Sequence, residues 1–291
     1  MAGDGHMEGD ISDFAREMKK LVNSKDHSDI RFVIGPNRKN IYAHKCILAA
    51  RCPVFGAMFA DQSQKNGSPE KDVPFVLSDM SPDVFLSVLE FIYTNCVTLK
   101  KDSAIDVLAT ALEYGLDELR KVCVDYLVKQ LTCDNVCEVL QAAVTYSQDN
   151  LREQALVYIE RNTATVLKSK SFSELGEEAL SAILMRDNLD IDEMDIFLAV
   201  KEWANVNSVV LSKPLCEVTK SVVKHVRFPL LSPEELAKLE EENKRDKIIP
   251  MECFSYAWKF HALKKVEKGC PLTTRRRGTL KRESHSSLDK S

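Results

Sequence analysis

Ile30, Phe32 and Ile34 alternate with Arg31 and Val33, and this two-residue period constrains the fold more than any other feature of the chain. Alternation of this kind suits a strand buried on one face. Gly35-Pro36-Asn37 then turns the chain, and Ile41 to Ala43 returns as the hairpin partner. A third strand is predicted over Val73 to Leu77, where Pro74 points to a strand start or a sheet edge. Val97-Thr98-Leu99 is a candidate for a further short strand. Beyond about residue 130 the strand signal disappears, so the chain reads as a mixed first half and an all-helical second half.

Helical periodicity fills the remaining stretches. Phe14, Met18, Leu21 and Val22 make one apolar stripe, with Ser12 or Asp13 as the cap that starts the helix. Cys46 to Arg51 begins a helical segment that Pro53 restarts, and Asp61 to Asp72 reads as a polar loop. Ser81-Pro82 opens a helix that buries Phe85, Val88, Leu89 and Ile92. Ile105, Leu108, Ala109 and Leu112 form another, which ends near Gly115. Leu116, Leu119, Val122, Cys123, Tyr126 and Leu127 form the next.

In the second half Val136, Val139, Leu140 and Ala143 share a face, as do Leu151, Ala155 and Ile159. Ala179, Leu180, Ile183 and Leu184 mark a third helix. A fourth, starting at Asp192, carries Ile196, Phe197, Val200 and Trp203. Leu215, Val218, Val222 and Val226 mark a fifth. Ser232-Pro233-Glu234-Glu235 is a capping box. Phe254, Ala257, Trp258 and His261 share a last helical face.

Composition narrows the function classes. A net charge of −4 argues against a general polyanion binder, so nucleic acid is not the expected partner. No apolar run approaches the roughly 18 residues of a membrane span. The N-terminus lacks the basic start and apolar core of a secretory signal, which points to the cytoplasm. The nine cysteines fall mostly inside apolar patterns and read as reduced thiols. Cys133-x-x-x-Cys137 has no further Cys or His nearby to complete a zinc site, so neither metal nor other cofactor is expected.

Taken in order, Asp29, Ala43-His44-Lys45, Met58-Phe59, Phe85, Leu89 and Tyr93 resemble the hallmarks of BTB/POZ domains. Gln141-Ala142-Ala143, Ala199-Val200-Lys201-Glu202-Trp203 and Val226-Arg227-Phe228-Pro229-Leu230-Leu231-Ser232-Pro233 resemble the BACK domain that follows BTB in Kelch-type proteins. The resemblance implies an α/β BTB domain over 12–128 and an all-α BACK domain over 130–262. Residues 1–11 and a basic tail, 263–291, are expected to be disordered. Kelch-type relatives continue into about six propeller repeats, and no repeat of that roughly 40–50-residue period is found here.

What such domains do is dock and dimerise, so the resemblance implies a non-catalytic homodimeric adaptor or scaffold. Partners on this reading are a second copy, other BTB proteins, cullin-3 of the ubiquitin ligases, and a cargo protein that the sequence does not identify. The alternatives are a scaffold unconnected to ubiquitin and a nuclear corepressor-type regulator. In the family the stripe of Phe14, Met18, Leu21 and Val22 packs across a two-fold axis. Asp29, His44 and Lys45 lie near the dimer groove, either as a structural ion pair or as a partner pocket. His44 has no nucleophile and orienting acid assignable beside it, which argues against catalysis.

Cullin-binding relatives carry a hydrophobic residue, any residue and a glutamate just after Met-Phe. After Phe59 the corresponding residues here are Ser63-Gln64-Lys65, with Glu70 as the nearest substitute acid. Losing the apolar knob costs about 1.5–3 kcal/mol, and lysine for glutamate reverses the charge contact. In the tail, Arg275-Arg276-Arg277-Gly278-Thr279 reads as a solvated charge run, as a basophilic kinase site at Thr279, or as a nuclear import signal.

Overall fold

The computed structural model describes residues 10–65, 74–263 and 270–282, with the backbone alone at 62–65. It divides into two compact units, Met1–Gln130 and Leu131–Ser291.

The first unit holds α1 (Ile11–Lys19), β1 (Ile30–Ile34), β2 (Lys39–Ala43), α2 (Lys45–Arg51), α3 (Pro53–Lys65), β3 (Phe75–Leu77), α4 (Pro82–Thr94), α5 (Ala104–Glu113) and α6 (Asp117–Lys129). The sheet order is β2-β1-β3. β1 pairs antiparallel with β2, placing Phe32 opposite Ile41, and parallel with β3, placing Phe32 opposite Phe75. A parallel neighbour needs a crossover, and α2 and α3 lie in it. Gly35 makes the tight turn at φ +70, and a side chain there would crowd the Met80 carbonyl oxygen at 3.2 Å.

Phe32 is the hub of this core. It is fully buried, with the rings of Phe85, Phe55 and Phe75 centred 4.9, 5.8 and 5.9 Å away. Tyr114 extends the cluster, 4.9 Å from Phe55. α4 buries Val84, Phe85, Val88, Leu89, Phe91, Ile92, Tyr93 and Thr94, more than one face of a helix holds. A helix so apolar all round belongs inside a core.

The second unit is built from α7 (Val136–Thr145), α8 (Asp149–Arg161), α9 (Thr163–Val166), α10 (Lys170–Ser173), α11 (Glu177–Leu184), α12 (Glu193–Leu211), α13 (Leu215–Thr219), α14 (Pro233–Asp246) and α15 (Met251–Leu263). Its core runs from Val136 through Trp203 to Ala257. The Trp203 indole N–H donates to the Leu175 carbonyl at 2.7 Å, so a large buried ring keeps its polar atom paired. The capping box forms as the sequence predicts. The Glu235 N–H donates to Ser232 Oγ at 3.2 Å and the Ser232 N–H to Glu235 Oε2 at 2.7 Å.

Several local expectations are corrected. Asp10, not Ser12 or Asp13, caps α1, its carboxylate accepting the Ser12 N–H at 2.8 Å. α3 continues through Lys65, so a polar loop does not begin at Asp61. Val97-Thr98-Leu99 has no strand pairing, because the described sheet stops at three strands. The stretch expected as one helix from Leu215 to Val226 breaks after α13 and resumes as a 3-10 turn at Val223–His225. Thr219 Oγ1 lies 2.9 Å from the Leu215 carbonyl and 2.8 Å from that of Ile248, so this hydroxyl serves backbone acceptors where the helix ends.

The largest correction concerns the basic tail. Residues 270–282 are not an unpacked run; they form a strap on the second unit. Its 3-10 turn is Pro271–Thr273. The Arg276 side chain is fully buried and pairs with Glu193, equally buried, at 2.6 Å. Arg282 pairs with Asp192 at 2.8 Å and Glu235 at 2.9 Å. Backbone N–H groups of Arg277 and Gly278 donate to the Asp187 and Leu189 carbonyls, both at 3.0 Å. Residues 1–9, 264–269 and 283–291 lie outside the described residues, with the expectations made for them.

Replacing Phe32 by alanine should destabilise the first unit by about 3–5 kcal/mol in denaturant unfolding, since the sheet and three rings close around it. A loss under about 1 kcal/mol would contradict this account of the core.

Candidate functional site

α1 contributes no buried residue to the single chain. Ile11 is 71% exposed and Phe14 63% exposed, while Met18, Leu21 and Val22 are half-buried. The helix ends at Lys19, so Leu21 and Val22 continue the stripe from the turn beyond it. Its position is fixed against α4 by the Lys19 ammonium, 2.6 Å from Glu90 Oε1. An amphipathic helix anchored by one edge with its aromatic residue in solvent offers apolar area to another surface.

Asp29, His44 and Lys45 are brought together at the start of α2. The Asp29 carboxylate accepts the Lys45 backbone N–H at 2.7 Å, so it stabilises the N-terminus of α2. The expected side-chain ion pair is replaced by this backbone contact. The Lys45 ammonium lies 5.9 Å from the centre of the Phe59 ring, a cation–π contact.

His44 is buried, and its partners define its tautomer. The Tyr93 phenol oxygen accepts the His44 backbone N–H at 2.9 Å and donates its own proton to Nδ1, also 2.9 Å away. Nε2 therefore carries the ring proton and donates to the Asp26 carbonyl at 3.0 Å. Both ring nitrogens are spent on structure. Burial pushes the Tyr93 phenol up to about 12, the His44 N–H opposing it. Tyr93 is the residue whose role the sequence pattern did not disclose. Its partner stands 49 positions away.

Phe59 is buried and stacks with Phe55 at 6.0 Å. Ser63, Gln64 and Lys65 occupy the last turn of α3, and their side chains fall outside the described set, as does Glu70. A cleft of about 460 Å³ in the first unit is lined by residues including Val76, Asp79, Met80, Asp106, Glu113 and Tyr114.

Thr279 is buried within the strap, 9% exposed, and its hydroxyl oxygen accepts the Arg276 N–H at 2.9 Å. Of the arginines before it, Arg276 is enclosed and Arg277 lies 65% exposed, 3.8 Å from Asp190. Burial alone lifts the Asp192 carboxyl. The Arg282 guanidinium and the Leu280 N–H outweigh it, and the group stays below the usual carboxylate range. The sequence carried a signal for this docking. Asp187, Asp190, Asp192 and Glu193 supply an acidic stretch opposite in sign to the arginines.

Residues 18–131 match the BTB/POZ domain family, and residues 136–241 match the family described as BTB And C-terminal Kelch. BTB/POZ domain-containing protein 19 of Bos taurus and that of Homo sapiens are each 44% identical over 97% of this chain and 96% of their own length. BTB/POZ domain-containing protein 9 of Drosophila melanogaster is 34% identical over 81% of this chain and 32% of its own length.

Tyr93→Phe should cost about 1–3 kcal/mol in urea unfolding at neutral pH, because Nδ1 and the His44 N–H lose their shared partner. The wild-type contribution follows the phenol's ionisation. With a folded value near 12 against an ordinary 10.0, it is complete below pH 10 and lost as the pH rises through 12. Equal stability of the two chains at pH 7 would contradict the assignment.

Proposed function

The chain belongs to the BTB/POZ family in the form that carries a BACK domain, and from that membership we propose a non-catalytic, homodimeric protein-interaction adaptor. The observation that carries the proposal is the exposure of Ile11 and Phe14 on α1, at the head of a stripe that its own domain covers only in part. Phe14 stands in solvent on a helix already fixed to α4 through Lys19 and Glu90. A second copy supplies the missing cover, and BTB domains mediate such dimerisation and partner binding.

The energetics set a requirement on the interface. Four fully exposed side chains of this size would yield roughly 6–12 kcal/mol gross on burial, and Met18, Leu21 and Val22 are already half-buried, so the gain is smaller, against an association cost of about 4–15 kcal/mol. The stripe must therefore be the anchor of a broader face. In the dimer each partner-binding surface occurs twice, which raises the effective concentration for a bivalent partner. The pairing of both His44 ring nitrogens supports a docking role for this region over a catalytic one.

Cullin-3 is the partner that would make this adaptor part of a ubiquitin ligase. Ser63 and Lys65 stand where cullin-binding relatives carry an apolar residue and a glutamate. The chain as it stands should bind cullin-3 weakly, and its scaffold role does not require that contact.

Phe14→Asp should weaken self-association by about ten- to a hundredfold in analytical ultracentrifugation, with the far-UV circular dichroism unchanged. An unaltered dissociation constant would remove α1 from the interface. Ser63→Met with Lys65→Glu should raise cullin-3 affinity by about tenfold or more, and no change would overturn the reading of that segment.

A further inference from the structure

We propose that Thr279 is a phosphorylation site for a basophilic protein kinase, and that its modification and the docking of the 270–282 strap exclude one another. The strap is then a releasable cover on the second unit. This inference does not rest on self-association through α1.

The sequence presents a hydroxyl preceded by three arginines, Arg275-Arg276-Arg277-Gly278-Thr279. A kinase of this class reads arginine side chains ahead of the acceptor in an extended segment. The docked strap withholds Arg276 and the acceptor, although Arg277 stays exposed. Arg276 is enclosed against Glu193, and its other guanidinium nitrogens donate to backbone carbonyls of Arg186 and, at 3.0 Å, His225. The Thr279 hydroxyl is buried and accepts from the Arg276 N–H. The next residue's N–H, that of Leu280, donates to Asp192 Oδ1 at 2.9 Å. A kinase therefore gains access only when the strap has left.

The reverse holds once phosphate is in place. The Thr279 oxygen attacks the γ-phosphorus of a nucleoside triphosphate and its proton passes to the kinase base. The bond to the bridging β–γ oxygen breaks, and the diphosphate leaves. The product carries about −1.5 to −2 charge and three further oxygens. The phosphate would replace the hydroxyl that accepts the Arg276 N–H at a position only 9% exposed, and it would sit beside the Asp192 carboxylate that holds the neighbouring N–H, where like charges repel. Release would uncover Glu193 and Asp192, whose partners on the strap are Arg276 and Arg282, beside Asp187, which is already 62% exposed and keeps Arg227. That acidic face suits an arginine-bearing segment of another protein.

Gly278 gives a way to open the strap without touching the arginines or the acceptor. A methyl group there would overlap the Ile191 backbone nitrogen and the Asp190 carbonyl carbon. Gly278→Ala should therefore undock the strap and leave the kinase motif whole. Arg282→Ala removes the contacts to Asp192 and Glu235 and serves as a second, milder variant.

The full chain and both variants are incubated with the catalytic subunit of cyclic-AMP-dependent protein kinase and ATP. Phosphate at Thr279 is followed by mass spectrometry, with a synthetic 270–282 peptide as the open reference. Gly278→Ala should be modified at least about tenfold faster than the natural chain, because the competent fraction sets the apparent affinity. Arg282→Ala should fall between the two. Hydrogen exchange at the amides of Arg277, Gly278 and Leu280 should lose protection in the phosphorylated natural chain. Equal rates in all three chains, modification of the peptide alone, or protection that survives phosphorylation would each overturn the proposal.

Discussion

The core of the first unit closes without α1, and the rest of the account follows from that constraint. Phe32 gathers Phe55, Phe75 and Phe85 between the sheet and the helices, and α4 is buried nearly all round. What remains for α1 is one edge of contact with α4 and the ion pair between Lys19 and Glu90. Its Ile11 and Phe14 stand in solvent, while Met18, Leu21 and Val22 are only half-buried by their own domain. Sequence pattern and partial burial thus bear on the same face.

Buried polar groups play different parts in the two units. In the first, the Tyr93 hydroxyl satisfies both the backbone and the ring of His44, so a strand-to-helix junction is fixed by hydrogen bonds to two ring nitrogens and a backbone N–H. Buried polar networks of this kind rigidify a junction when every member is paired. In the second, Glu193 accepts from Arg276 and from the Arg227 N–H, with both charged side chains of the Arg276 pair fully enclosed. Removing one member of such a pair typically costs about 3–5 kcal/mol, because the other charge is left uncompensated. A strap held this way is firmly docked when its partners are complete and is discharged as a unit when they are not.

Much of the fold was legible because it is local. The alternation from Ile30 to Ile34, the Ser81-Pro82 start and the Ser232–Glu235 box each act within a few residues, and each forms an element where the pattern placed it. The hallmarks of both domains were readable for the same reason. The failures are non-local. Arg276 and Glu193 are 83 positions apart, so a run of arginines read alone resembles a solvated tail. The Asp29 carboxylate meets a backbone N–H, which a residue pattern does not display; the pattern offers a structural ion pair or a partner pocket for Asp29, His44 and Lys45. Val97 to Leu99 had strand-like composition, yet composition supplies no neighbouring strand to pair with.

The stripe's exposure in one chain is the central claim's physical basis, and the mass of the particle in solution tests it most directly. Multi-angle light scattering of the unmodified chain at micromolar concentration should return about twice the 32.8 kDa chain mass. A stable particle of the single-chain mass under those conditions would contradict the account.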